Sequence, residues 1–425
     1  MISKSAGSGN ARSILILDMS YTLKMFKDRH MELALESRKL GGYFDKVISV
    51  HPLAGLFDTG DNRFGRPVIT RLDSSHIFIE GKIGVSRGLR FMPPLNLLLA
   101  QMALVRLLLN MANDYKIDMV RIGDPYYLGL MGLFLARKIK VPLAIRVPFR
   151  YDEIFLLTGR PVMPRLFKFR WTEKIIERFV FPRCDLIAGA NEDNMNYALE
   201  NGGKPEVATV FRYGNLIHAD HWKDPHLRAD AGVKLAELGL KDAKFAVTVA
   251  RLEPMKCVED SIRVIAELVR RGHDIKGLIV GEGTLRQELE SLAYKLGAGD
   301  RVIFAGNRTQ EWIAAVLPGA SVIVSPHMGR ALTEAALAGV PIVAYDYDWQ
   351  REVVIDGETG YLVPNRDWMV LSDRAEDILT DPVKGVEMGN AARKKILNMM
   401  DPEKLELHEQ NEYSKMLKRF LAAKR

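Results

Sequence analysis

Short, continuously apolar runs alternate with longer amphipathic segments along this chain, and the alternation occurs as two successive series. Residues 13–17 read Ser-Ile-Leu-Ile-Leu, and runs of the same kind recur at 46–50, 119–122, 143–147, 186–189 and 207–211. Apolar runs without polar interruption suit strands covered on both faces, the condition of a parallel sheet flanked by helices. Residues 28–40 carry the helical spacing expected after the first strand. A mostly polar stretch, 215–231, then reads as a linker. The second series places strands at 245–250, 276–280, 302–305, 321–325 and 341–345, with helices at 258–271, 284–296, 310–317 and 332–338. The expected class is α/β, with two Rossmann-like domains at 1–220 and 221–404 and a cleft between them. A last amphipathic helix follows, and its 405–425 portion is expected to pack back on the first domain. Residues 1–10 have no apolar period and read as a tail.

Composition narrows the function. A chain of 425 residues exceeds what one core supports, and 48% hydrophobic with 27% charged residues is the balance of an ordinary globular protein. Cys184 and Cys257 stand far apart, which excludes a disulfide framework and a Cys-based metal site. This usage fits the cytoplasm, and no apolar leader follows the start. The apolar run 93–111 contains Gln101 and Arg106, so it is expected as a buried helix rather than a membrane span. The net charge of +7 favours anionic partners. Nucleic-acid modules are absent, which leaves phosphate-bearing substrates and anionic membrane surfaces.

Three segments carry candidate chemistry. Arg251 and Lys256 project from the loop after the strand ending near 250 and could bind a diphosphate, although loop cations are commonly just solvated. Gly281-Glu282-Gly283 follows the next strand and permits a close backbone approach or simply a tight turn. Residues 325–341 run from a strand end through Gly329, Arg330 and Ala331 into a helix. There, free N–H groups suit an anion and Glu334 can accept hydrogen bonds from paired hydroxyls or complement the helix dipole.

In this order and spacing the three segments, with Phe304-Ala305-Gly306, residues 357–364 and Tyr213-Gly214-Asn215, resemble the retaining glycosyltransferases of family 4, which have the GT-B fold. The likeness is close over 207–364 and holds only in outline before that. It implies transfer of a sugar from a nucleotide-sugar donor to a saccharide or lipid-linked saccharide acceptor, as in cell-surface polysaccharide or glycoconjugate synthesis. No cofactor and no metal is implied. Arg251 and Lys256 would hold the donor diphosphate, and Glu334, the second glutamate of an E-x7-E motif, the ribose. Backbone N–H groups of Gly329 to Ala331 would approach the diphosphate or sugar, Asn307 and Arg308 would lie near the base, and Gly281 to Gly283 would admit the nucleotide.

The departures are specific. Pro326 stands where the first glutamate of that motif belongs, and His327 beside it is the substitute candidate for the donor sugar. The N-domain histidine is missing, leaving Arg146, Arg150 and Asp152 as acceptor-side candidates. Asp18-Met19-Ser20-Tyr21 replaces a glycine-rich loop. Asp346-Tyr347-Asp348 is expected to be structural or sugar-facing rather than a metal motif. Two rival readings are a nucleotide-sugar epimerase of the same architecture and a non-catalytic nucleotide- or saccharide-binding homologue. Finally, basic and aromatic residues interleave over 164–183. That pattern suits a helix lying on an anionic leaflet, and equally a domain-packing helix with a solvated basic face.

Overall fold

The computed structural model describes residues 12–28, 31–213, 217–225 and 230–424. The expected tail at 1–10, residues Gly214 and Asn215, and part of the expected linker lie outside them. Two compact units result: Met1–Leu216 with Glu403–Arg425, and Ile217–Pro402.

The first unit is built on an eight-stranded sheet. Its strands are β1 Ser13–Leu17, β2 Lys46–His51, β3 Val68–Arg71, β4 His76–Glu80, β5 Met119–Ile122, β6 Leu143–Val147, β7 Leu186–Gly189 and β8 Ala208–Val210, in the order β3-β4-β2-β1-β5-β6-β7-β8. All pairs are parallel except β3 with β4. That hairpin is absent from the sequence reading, because β3 is an exposed edge strand of mixed polarity. The expected helix at 28–40 is also interrupted: Leu23–Asp28, Glu32–Glu36 and a 3-10 turn at Ser37–Lys39 take its place. Arg38 turns inward there, with its guanidinium 2.5 Å from the Asp18 carboxylate. Burying that cation against the loop after β1 breaks the apolar period that predicted one helix.

One face of this sheet is closed by the helix Pro402–Ala422, in which Tyr413 and Met416 pack on Ile14, Ile16, Phe44 and Phe211. Full burial of a side chain such as Met416 contributes about 1.5–3 kcal/mol. Glu409 of the same helix pairs with Arg146, which projects from β6. Helix Pro93–Asp114 covers part of the other face through Ala100, Leu104 and Leu108. It is not the fully buried helix expected from sequence, since Leu95, Leu98 and Met102 are exposed.

The second unit holds a six-stranded parallel sheet of β9 Phe245–Val249, β10 Lys276–Val280, β11 Val302–Gly306, β12 Val322–Ser325, β13 Ile342–Tyr345 and β14 Gly360–Val363. The order β11-β10-β9-β12-β13-β14 makes β9 and β12 the adjacent strands from which the chain winds in opposite directions. Helix Val258–Arg270 shows why the pattern was legible: Val258, Ile262, Ile265 and Leu268 form one buried stripe. Strand β14 was not expected, because sequence reading ended the set at 345. Between its described residues, the expected linker also contains a short helix, Ala219–Trp222.

A candidate donor site at the switch point of the second sheet

Open parallel sheets bind ligands beyond their carboxyl ends, where the strand order reverses. In the second unit the loops leaving β9 and β12 meet at that point. The first carries Arg251, Lys256 and Cys257; the second carries Pro326, His327 and Gly329. Lys256 ends a 3-10 turn, Pro254–Lys256, and Cys257 takes φ 53°, a left-handed conformation unusual for a residue with a side chain. Gly329, φ 66°, lies so close that a Cβ there would sit 3.1 Å from Lys256 Nζ. The lysine is thus held directly against the backbone of the second loop.

The electrostatics are those of an anion site. Arg251 and Lys256 form no ion pair among the described residues, unlike Arg263, which pairs with Asp260, and Arg271, which pairs with Glu376. Burial pushes the Lys256 ammonium down to about 8; the Arg251 charge adds to the shift and the Asp348 carboxylate opposes it. Two unneutralised cations beside a backbone loop leave a positive potential for an incoming diphosphate.

Glu334 completes the site. It lies in the first turn of Ala331–Leu337, has 4% exposure, and its carboxyl makes no hydrogen bond to any described residue. Burial raises it to about 7, opposed by Arg330. Beside it the Thr333 hydroxyl is fully buried and also lacks a hydrogen-bond partner. Sequence reading missed Thr333, and only its position next to Glu334 could have suggested it.

Several of the sequence-derived candidates are engaged by the protein itself. His327 does not offer a free ring to a sugar. Its Nδ1 lies 2.9 Å from the Met255 carbonyl, its Nε2 lies 3.2 Å from the Asp348 carboxylate, and Tyr347 packs edge-on against it. Both nitrogens face acceptors, so the ring braces the turn that carries Lys256. Asp348 holds φ 53° to make that contact, a role not visible in the sequence. Gly281 and Gly283 serve their own backbone: a Cβ would meet the Ala250 carbonyl at 1.9 Å and the Leu252 carbonyl at 2.3 Å. Their approach fixes the loop bearing Arg251. Glu282 is engaged by Arg286 at 2.8 Å. Asn307 and Arg308 are exposed after β11, and Arg308 stacks over Trp312, 5.0 Å from the ring centre. Arg330 is exposed before the helix.

The acceptor-side candidates of the first unit are likewise committed. Arg146 pairs with Glu409, Arg150 with Asp193 and Glu200, and Asp152 with Arg170 and Lys174. Of the other acidic groups, Asp346 pairs with Arg351 at 3.0 Å. Among the described residues, His218, Asp220 and Glu311 bring possible ligand atoms within 4.8 Å of one another, but His218 is bonded to Glu311 and Asp220 to Lys223.

Two doubly wound α/β units, with a phosphate-suited switch point in the second, define the class as GT-B. Residues 234–395 match the family described as glycosyl transferases group 1. Among curated relatives, the chain is 33% identical over 174 residues to the alpha-D-kanosaminyltransferase of Streptomyces kanamyceticus, covering 39% of this chain and 44% of that protein. It is 31% identical over 225 residues to the D-inositol 3-phosphate glycosyltransferase of Streptomyces avermitilis, covering 49% and 47%. The chain thus spans about half the length of the curated relatives it matches. Solved structures with this fold include Anabaena HepE in complex with UDP and glucose, at TM-score 0.69 and 18% identity over 95% of this chain and 100% of that one. Sucrose-phosphate synthase of Thermosynechococcus elongatus matches at TM-score 0.70 and 18% identity over 96% and 100%.

Proposed function

We propose that the protein is a retaining glycosyltransferase that moves a sugar from a nucleoside-diphosphate sugar to a saccharide or lipid-linked saccharide, working at the cytoplasmic face in polysaccharide or glycoconjugate synthesis. The observation that carries this reading is the meeting of the β9 and β12 loops, which sets Arg251 and Lys256, without an ion pair among the described residues, beside the loop that leads into the helix bearing buried Glu334. The departing nucleoside diphosphate gains negative charge as the glycosidic bond breaks. Cations already fixed in place stabilise that charge without reorganisation. Lys256, held against Gly329, meets the phosphates, and Arg251 adds a second donor set. Glu334 accepts the ribose hydroxyls, which supply the hydrogen bonds it lacks in the free protein. No metal enters the scheme, because the cations take that part. The relatives support a sugar acceptor that can be lipid-borne: one, 32% identical over 176 residues, is the GDP-mannose-dependent alpha-(1-6)-phosphatidylinositol monomannoside mannosyltransferase of Mycolicibacterium smegmatis.

The test begins with thermal shifts against UDP-, GDP-, ADP- and CMP-sugars, since a ligand of the native state raises its apparent stability. Lys256→Ala is expected to lower turnover about a hundredfold or more. Diphosphate affinity in the unaltered protein is expected to fall as pH rises through 8, by up to about tenfold per unit, as the free lysine loses its proton. Unchanged turnover in Lys256→Ala would overturn the reading. Release of a rearranged sugar nucleotide from donor alone would point instead to an epimerase.

A further inference from the structure

Helix Arg170–Val180 in the first unit is inverted. Its buried face is charged: Glu173 and Glu177 are both 0% exposed. Glu177 accepts hydrogen bonds from the Tyr126 and Tyr197 hydroxyls and pairs with Arg170 at 2.6 Å. Glu173 pairs with Arg170 at 2.8 Å and accepts from the backbone N–H groups of Val162 and Met163. The opposite face is apolar, with Trp171 62% and Ile175 58% exposed and Phe179 following at the same spacing. Turning the helix over would put two carboxylates into solvent at the loss of this network and take the acceptor away from the buried Tyr126 and Tyr197 hydroxyls. A buried charge stripped of its partner costs several kcal/mol, so the inward glutamates force the apolar stripe outward.

The charge around that stripe has one sign. Over 156–183 both glutamates point inward, and the exposed charged residues are Arg160, Arg165, Lys168, Arg178 and Arg183, all basic. Arg183 lies 4.1 Å from the centre of the Phe179 ring and Lys168 lies 5.5 Å from that of Phe169, while Phe169 stacks on Trp171. The neighbouring helices carry exposed apolar residues as well. Helix Arg170–Val180 packs on helix Tyr127–Ile139, which packs in turn on Pro93–Asp114. Each neighbour exposes a stripe of its own, Leu130 with Phe134 and Leu98 with Met102. Across these two helices the only carboxylate is Asp114, at the end of its helix, and Arg106, Arg137 and Lys138 are exposed.

We propose that this three-helix layer is a docking surface for an anionic lipid leaflet, with the aromatic and aliphatic stripes entering the headgroup–acyl boundary and the basic residues meeting lipid phosphates. Exposed Trp and Phe beside Arg and Lys, with carboxylates turned away, is the chemistry such a boundary selects. A protein partner would need no such uniform charge. The surface lies wholly in the first unit and does not depend on the donor-site reading.

The experiment is flotation of the full chain with phosphatidylcholine vesicles, with and without phosphatidylglycerol. Binding is expected only to the anionic vesicles, weakening as salt is raised. Trp171→Glu with Ile175→Glu, both at exposed positions, should reduce partitioning about tenfold or more. Lys168→Glu with Arg178→Glu should do the same, while all variants keep the circular dichroism and thermal unfolding midpoint of the parent. Absence of binding to anionic vesicles, binding that survives both pairs of changes, or concentration-dependent self-association abolished by Trp171→Glu without lipid binding would each overturn the proposal.

Discussion

Glu334 is the residue at which the site's chemistry is most exposed to measurement. Burial holds its carboxyl at about 7, above the ordinary range for glutamate in an unfolded chain. Between those two values the folded protein binds the proton that the unfolded chain has released. Stability contributed by the protonated group is therefore full at low pH and is lost as pH rises from about 4.5 to about 7. Urea unfolding of the free protein is expected to show that decline, up to about 3 kcal/mol, and Glu334→Gln should flatten it. An unaltered slope in the variant would assign the decline elsewhere. At this scale the sequence was partly legible. Arg251, Lys256 and Glu334 stand out in the sequence by residue type and spacing, and the structure places Arg251 and Lys256 close together beside the β12 loop. The bracing of His327 was not legible, because its partners, the Met255 carbonyl and Asp348, lie 72 and 21 positions away in the chain. The ion pairs of Arg146, Arg150 and Asp152 were hidden for the same reason: their partners Glu409, Asp193, Glu200, Arg170 and Lys174 come from other elements.

Elements were read best where burial imposes a period. The parallel strands are largely apolar, and the helices between them carry one apolar stripe, so β1, β2 and β5 to β13 could be found in the sequence. Strand β3 could not, since an exposed edge has no such constraint. The glycines after β10 illustrate an element-level constraint that sequence could name but not assign. Gly281 was compatible with a nucleotide approach; the structure gives it φ 138° and the Ala250 carbonyl as its immediate neighbour. Gly281→Ala must therefore displace the β9 loop as well as strain its own backbone. It is expected to destabilise the second unit by about 3 kcal/mol or more and to weaken nucleotide binding, read by calorimetric unfolding and thermal shift. Retained binding at unchanged stability would mean that the two loops do not need this contact.

For the whole molecule, the sequence reading established two α/β series and a returning last helix. It did not reveal how much the first unit depends on that helix. Glu409 neutralises Arg146 beneath the helix and lies 3.6 Å from Arg121. Glu409→Gln would leave these buried or half-buried guanidinium groups short of a counter-charge, at a cost of about 3–5 kcal/mol. Hydrogen exchange should locate that loss in β1, β5 and β6, with amides of the second sheet unaffected; equal acceleration in both sheets would refute the assignment. The same helix also sets an order of events during synthesis. Residues 217–402 form an uninterrupted unit that can close as soon as it emerges from the ribosome, whereas the first unit, though made earlier, waits for residues 403–425 to cover its sheet. On the translating ribosome the downstream half is thus positioned to mature first, and the earlier half keeps an uncovered apolar sheet face for the longest interval.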